Sequence, residues 1–244
     1  MTVVTTVVFD VGLTLVRPEP SFAQVFASVC RDCGVAVAPE AVAAAEHLWV
    51  EQHERWRAAG EPSPWEGDHD AETRYFLALY HLILDHLDVD HDGSLPDRLL
   101  EAFVDHTSYG AYPDAVPALA ELSRRGVRLA VLSNWGSRPR LRDVLAHAGL
   151  ERWFDPVVVS GEVGLAKPDP ALFLHLLDRL GAPAGPHVAY VGDDLHSDVA
   201  PARRLGLRAV LVDRSGRNRH HDGPRVTDLR QLARALPLPR PAGP

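Results

Sequence analysis

HVAYVGDDLHSDVAPARRLGLRAVLV, His187 to Val212, decides the fold. HVAYVG is a short, continuously apolar run, Val199 to Leu205 has helical spacing, Gly206 stops it, and LRAVLV is a second apolar run. Strands that are apolar on both faces, joined by a helix, are the unit of a parallel sheet covered on both sides. The same rhythm runs through the residues before it. Ala115 to Arg125 closes on Gly126 ahead of VRLAVLS (Val127 to Ser133), and Arg138 to Ala148 closes on Gly149 ahead of VVVS (Val157 to Ser160). Pro170 to Leu180 closes on Gly181 ahead of HVAYVG. Glycine is the residue that a left-handed helix cap prefers. TVVTTVVF, Thr2 to Phe9, supplies a first strand, and the expectation is a doubly wound α/β sheet.

Between that strand and Ala115 the pattern changes. SFAQVFASVCRDCG, PEAVAAAEHLWVEQHERWRAAG and AETRYFLALYHLILDHL place apolar residues at helical spacing, with no convincing strand. The division expected is a core of residues 1–17 and 110–235, a helical subdomain over 18–109, and a Pro-rich tail over 236–244 that frays.

Composition excludes several function classes. A net charge of −8, without a Lys/Arg block, gives no electrostatic case for nucleic acid. No run approaches the roughly 18 apolar residues of a membrane span, and Asp10 interrupts the short apolar start, so the expected location is cytoplasmic. Cys30-Arg31-Asp32-Cys33 has redox spacing but lies in an amphipathic helical stretch, which favours two reduced thiols. Asp88 to Gly93, DVDHDG, opens like a calcium loop, yet Pro96 stands at the ninth position and Leu99 where the twelfth needs a glutamate. The aromatics Trp49, Trp56, Trp65 and Tyr75 read as helical core. Nothing in the sequence speaks to oligomeric state.

In open α/β sheets ligands bind beyond the carboxyl ends of the strands. Asp10 ends the first strand, Ser133-Asn134 a second, and Asp193-Asp194 follow HVAYVG with Asp198 one turn on. Lys167 precedes Pro168 and the next helix. Such a rim is suited to phosphoryl transfer. Asp10 and Asp193 can share a hard divalent cation, most simply Mg2+. Asp10 can attack phosphorus while the cation offsets anionic repulsion. Ser133 can donate to a phosphate oxygen, and Lys167 can balance charge in the transition state. Asp194 and Asp198 suit positions outside the metal ligands, orienting water or holding Lys167. Trp135 lies beside this rim and, with Thr14 and Asn134, is a candidate substrate contact.

Taken together these stretches resemble the haloacid dehalogenase superfamily. The resemblance rests on FDVGLTLV with Asp10 and Thr14, VLSN with Ser133, GLAKPDPALF with Lys167, and YVGDDLHSDVAPARRLGL with Asp193 and Asp198, in that order. It covers Val3 to Asp213 and implies a Rossmann-like core with the first strand central. It also implies a helical cap between the first and second motifs, a magnesium ion held by Asp10, Asp193 and the Gly12 carbonyl, and an aspartyl-phosphate intermediate. The substrates implied are small phosphorylated metabolites.

One position departs from the family. Phosphatases of this kind carry a second aspartate, a general acid and base, where Gly12 stands. Three functions fit that departure: a phosphatase for esters whose leaving group needs little protonation, with water, a cap residue or Asp194 as a substitute proton carrier; a hydrolase like the 2-haloacid dehalogenases, whose halide leaves without a proton; and a binding protein on an impaired enzyme fold.

Overall fold

The computed structural model describes residues 2–240 apart from 92 and 137. Its main sheet has six strands, all parallel: β1 (Thr6–Phe9), β4 (Arg128–Ser133), β5 (Val157–Val159), β6 (Val188–Gly192), β7 (Arg208–Val212) and β8 (Arg225–Val226). The order is β5-β4-β1-β6-β7-β8. The first strand is therefore central, and Phe9 sits between Val131 and Val191 in register. Because the chain adds strands on one side of β1 and then crosses to the other, the carboxyl ends of β1, β4 and β6 meet at a switch point.

Alternate residues feed two hydrophobic layers, as pleating requires. Val7, Phe9, Val131 and Val191 pack with α6 (Ala115–Arg124), α7 (Arg138–His147) and α11 (Leu232–Ala235). Val8, Leu132, Val158 and Tyr190 pack on the opposite face against α9 (Pro170–Leu180). The glycines that were expected to stop helices, Gly126, Gly149, Gly181 and Gly206, all adopt left-handed φ, between 61° and 75°. The last of those helices starts differently from the expectation. A wide turn, Leu195–Val199, opens it, and only Ala200–Arg204 (α10) is regular α-helix.

Residues 22–104 hold five helices: α1 (Phe22–Asp32), α2 (Pro39–Ala44), α3 (Leu48–Ala58), α4 (His69–His86) and α5 (Leu95–Val104). They enclose a core of their own, around Phe26, Tyr80, Ile83, Leu84 and Leu99. Trp56, Trp65 and Tyr75 form a smaller aromatic cluster beside it. Two strands do occur at the edges of this helical insert. β2 (Val16–Pro18) pairs antiparallel with β3 (Tyr109–Ala111), so the outgoing and returning chains are bonded to each other. Strands of three residues are too short to show a period, which is why the sequence pattern does not disclose them.

The tail also differs from the expected frayed end. Leu236 is buried in the core, and the Pro237 carbonyl accepts from Val4 N at 2.8 Å. The remainder of the predicted tail, 241–244, lies outside the described residues. Cys30 and Cys33 are both free. Cys30 is buried, which pushes its thiol up to about 11, and Cys33 is exposed at the end of α1. The two thiols therefore do not share an environment, and the buried one is not poised to react.

Part of the calcium-like loop, Asp92, lies outside the described residues. The decisive position is described: Leu99 is fully buried in the core of the insert. Leu99→Glu completes the loop pattern on paper, but it places a carboxylate without a partner in that core. The expected result is a loss of about 3–5 kcal/mol, seen as a lower Tm that added calcium does not restore.

Candidate active site

Four separate chain segments deliver the predicted residues to the switch point. Asp10 follows β1, its N–H bonded to the Val191 carbonyl at 2.9 Å, so the β1–β6 ladder itself aims the side chain. Ser133 is the buried last residue of β4. Lys167 reaches in from the loop before α9, and Asp193 and Asp198 follow β6.

Lys167 Nζ is the hub. It donates to Asp10 Oδ1 at 2.8 Å, to Asp198 Oδ1 at 2.7 Å and to the Tyr190 hydroxyl at 3.1 Å. Its backbone is fixed by Asn134, whose carboxamide accepts from Lys167 N at 2.8 Å and donates to Lys167 O at 3.0 Å. Asn134, expected to contact substrate, thus spends both its amide groups on holding the lysine loop. Thr14 is fully buried, and its hydroxyl donates to Asp193 Oδ1 at 3.2 Å. The second Asp198 oxygen accepts from Asp194 N at 3.1 Å. Trp135 is half-buried: its ring meets Tyr109 of β3 edge-on, and its backbone N–H donates to Ser160 Oγ at 3.0 Å.

Asp194 has a local task. Its Oδ1 accepts from His196 N, Ser197 N and Ser197 Oγ, capping the turn that follows. With that oxygen engaged by three donors, Asp194 is committed to the turn.

Ligand atoms of Asp10, Asp193 and Asp198 lie within 4.8 Å of one another. Three carboxylates and one ammonium leave a net negative charge in a nearly closed space. Burial raises the Asp10 carboxyl to about 6, against the opposing pull of Lys167. Burial, then Asp10 and Asp198, raise Asp193 well above the ordinary range. Burial alone lowers the Lys167 pKa, but Asp10 and Asp198 outweigh it and raise it well above its usual value. An all-oxygen, surplus-anionic donor set of this kind fits a hard divalent cation.

Gly12 is not demanded by the fold. Its φ lies outside the left-handed region, and a Cβ built on it meets no heavy atom within 4 Å. The strained position is the next one: Leu13 is left-handed, with φ 57°, and exposed. The turn thus keeps open space beside Gly12.

Among its contacts with the core, the helical insert reaches this rim through Glu72 and Gly67. The Glu72 carboxylate on α4 lies against Gly136, where a Cβ would fall 1.9 Å from Oε2, and it pairs with Arg140 of α7 at 3.4 Å. Gly67 approaches Gly161 so closely that a Cβ there would lie 2.5 Å from the Gly161 carbonyl oxygen. Sequence reasoning missed Glu72, and it missed Tyr190 and Arg214 too. For Tyr190 there was a signal, since a tyrosine in an otherwise apolar strand needs a partner for its hydroxyl.

The model of the haloacid dehalogenase-like hydrolases matches residues 4–206, most of the chain. The chain belongs to that family. Among curated relatives of this hydrolase, the phosphoserine phosphatase of Thermus thermophilus is 43% identical over 157 residues, 61% of this chain and 62% of that protein. Haloacid dehalogenase-like hydrolase domain-containing protein 3 of Homo sapiens is 30% identical over 84% of this chain and 80% of its own length. The matched stretch spans 62% of the first relative and 55% of a Mycobacterium tuberculosis phosphatase. Among solved structures, the magnesium-bound HAD-hydrolase YfnB of Bacillus subtilis superposes with a TM-score of 0.75 at 18% identity, covering 96% of this chain and 98% of that one. A dehalogenase with an intermediate complex gives a TM-score of 0.72 at 23% identity, covering 97% and 98%. At those identities the likeness is one of fold, and it confirms the Rossmann-like core of this hydrolase.

The raised carboxyl pKa values set a pH signature. Groups whose folded pKa is raised favour folding below their ordinary value of 3.8 and lose that contribution as pH rises through about 6. A divalent cation binds the ionised form and stabilises the folded state by mass action. Added Mg2+ is therefore expected to raise the Tm at pH 7.5 and to raise it much less at pH 5, as read by differential scanning calorimetry. An equal shift at both pH values contradicts the assignment of these carboxylates.

Proposed function

We propose that this hydrolase is a magnesium-dependent phosphatase acting on a small phosphorylated metabolite through an aspartyl-phosphate on Asp10. The observation that carries the reading is the meeting of Asp10, Asp193 and Asp198 within 4.8 Å around one buried ammonium. Halide displacement from carbon has no use for so many carboxylates, whereas phosphoryl transfer uses a cation to bring two anions together.

Asp10, Asp193 and the Gly12 carbonyl hold the ion in this reading. Bound there, magnesium offsets the charge of the phosphate and polarises its oxygens. A carboxylate oxygen of Asp10 attacks phosphorus, the bond from phosphorus to the leaving oxygen breaks, and water later hydrolyses the acyl phosphate to restore Asp10. Lys167 balances charge on the transferring group, and Ser133 donates to it. Asp198 and Tyr190 keep Lys167 in place, while Asn134 and Thr14 act by holding the loops they bond to. Trp135, in the loop after β4 and against Tyr109 of the insert's stem, is the aromatic assigned in this reading to the substrate's organic part.

Gly12 narrows the substrate class. No side chain at this position protonates the leaving oxygen, so esters with acidic leaving groups, namely acyl, anomeric and aryl phosphates, are favoured. Exposed leucines support the same direction: Leu13 and Leu195 lie on the two loops that carry Asp10 and Asp193, and offer apolar surface at the rim.

With Mg2+, phosphate release from acetyl phosphate and p-nitrophenyl phosphate is expected, and Asp10→Asn abolishes it. Gly12→Asp, for which the structure has room, is expected to accelerate alkyl phosphate hydrolysis by about 10²–10⁴, the usual worth of general acid–base catalysis, and to speed aryl and acyl phosphate turnover too, because the same aspartate would activate water against the aspartyl-phosphate. Metal-free chloride release from a 2-chloroacid, with no phosphatase activity, overturns the reading.

A further inference from the structure

Arg214 follows Asp213 at the end of β7 and carries no part of the motifs discussed above. Its guanidinium is nevertheless fixed from several directions. Nη1 donates to Asp114 Oδ2 at 2.8 Å, and Nη2 to Asp114 Oδ1 at 3.0 Å, a fork-to-fork pair with a buried carboxylate. The same Nη2 donates to the Thr14 carbonyl at 2.9 Å. The plane also lies over the Tyr112 ring, with Cζ 3.6 Å from its centroid. Asp114 is held in turn by the N–H of Leu229 at 2.8 Å. Tyr112 is held by its own N–H, which donates to the Leu15 carbonyl at 2.9 Å.

What Arg214 grips is the turn that carries the reactive aspartate. That turn contains the left-handed Leu13, a conformation that a non-glycine residue keeps only when its surroundings over-determine it. Thr14 is the next residue. Its carbonyl is bound by Arg214, and its hydroxyl donates to Asp193 Oδ1 at 3.2 Å. The contacts form one chain, from Asp114 through Arg214 and Thr14 to Asp193. A lysine cannot replace the arginine here, because an ammonium has no planar fork to share between a carboxylate and a carbonyl while stacking on a ring.

We propose that Arg214 is a positioning residue for the cation site: by holding the Thr14 carbonyl it sets the Thr14 hydroxyl against Asp193, and so sets the affinity of the carboxylate cluster for a divalent cation. This rests on the reading of Asp10 and Asp193 as the magnesium ligands. It extends the site to two residues, Asp114 and Arg214, that lie 100 positions apart in the chain. It also ties the cation site to the stem of the helical insert, since Tyr112 directly follows β3.

The test is isothermal titration of the full chain with Mg2+, without substrate, so that no catalytic step enters the readout. Asp114→Asn/Arg214→Gln removes both charges together and leaves no buried carboxylate unpaired; Thr14→Val removes the hydroxyl. Each variant is expected to bind Mg2+ about five- to tenfold more weakly than the parent. The variant carrying all three substitutions is expected to bind no more weakly than Thr14→Val alone, because both changes act through one contact. Arg214→Lys is read in the same way if the paired variant does not fold by circular dichroism. Parental affinity in Asp114→Asn/Arg214→Gln, or losses that multiply in the combined variant, overturns the proposal and leaves the metal reading standing. Absence of Mg2+ binding by the parent chain overturns both.

Discussion

Lys167 is one ammonium buried against two carboxylates, and the architecture of the site depends on it. Its contacts join the loop before α9 to the end of β1 and to the turn after β6. Removing the ammonium leaves two buried carboxylates uncompensated, which is among the costliest local defects a fold can carry. Tyr190 adds a hydroxyl from within β6 itself, so the sheet and the site share a residue. Asp193 adds a third carboxylate to the same cluster. The cluster is an all-oxygen, carboxylate-rich set of the kind that suits a hard divalent cation.

The helical insert has a related dependence. It is joined to the core through the β2–β3 ribbon, and it touches the rim again through Glu72 over Gly136 and Gly67 against Gly161. Those glycines are places where any side chain would collide, so the insert and the two loops after β4 and β5 are fitted to one another closely.

Much of this was legible in the sequence, for definite reasons. Buried parallel strands are continuously apolar, and each helix before them stopped at a left-handed glycine, so core order and strand ends were readable. Asp10, Ser133, Lys167, Asp193 and Asp198 then followed from where such strands end. What escaped notice depended on long-range pairing. Nothing near Arg214 or Asp114 in sequence signals a partner 100 residues away. The ribbon strands were too short for periodicity. Thr14 and Asn134 were readable as members of the site, but their partners, Asp193 and the Lys167 backbone, are visible only in three dimensions. The docked tail was misjudged because Leu236 and Leu238 alternate with prolines, a pattern that does not by itself signal docking.

The central claim is that Asp10 becomes phosphorylated, and Gly12 offers a direct way to see it. Without a side-chain base at that position, water is activated poorly against the acyl phosphate, so breakdown of the intermediate is slowed along with protonation of the leaving group. The most direct measurement is peptide mass spectrometry of enzyme quenched in acid during turnover of acetyl phosphate with Mg2+. A phosphoryl group on the peptide containing Asp10, absent in Asp10→Asn, is the result predicted. Steady turnover with no phosphoryl group on that peptide, or with the label on another residue, contradicts the account.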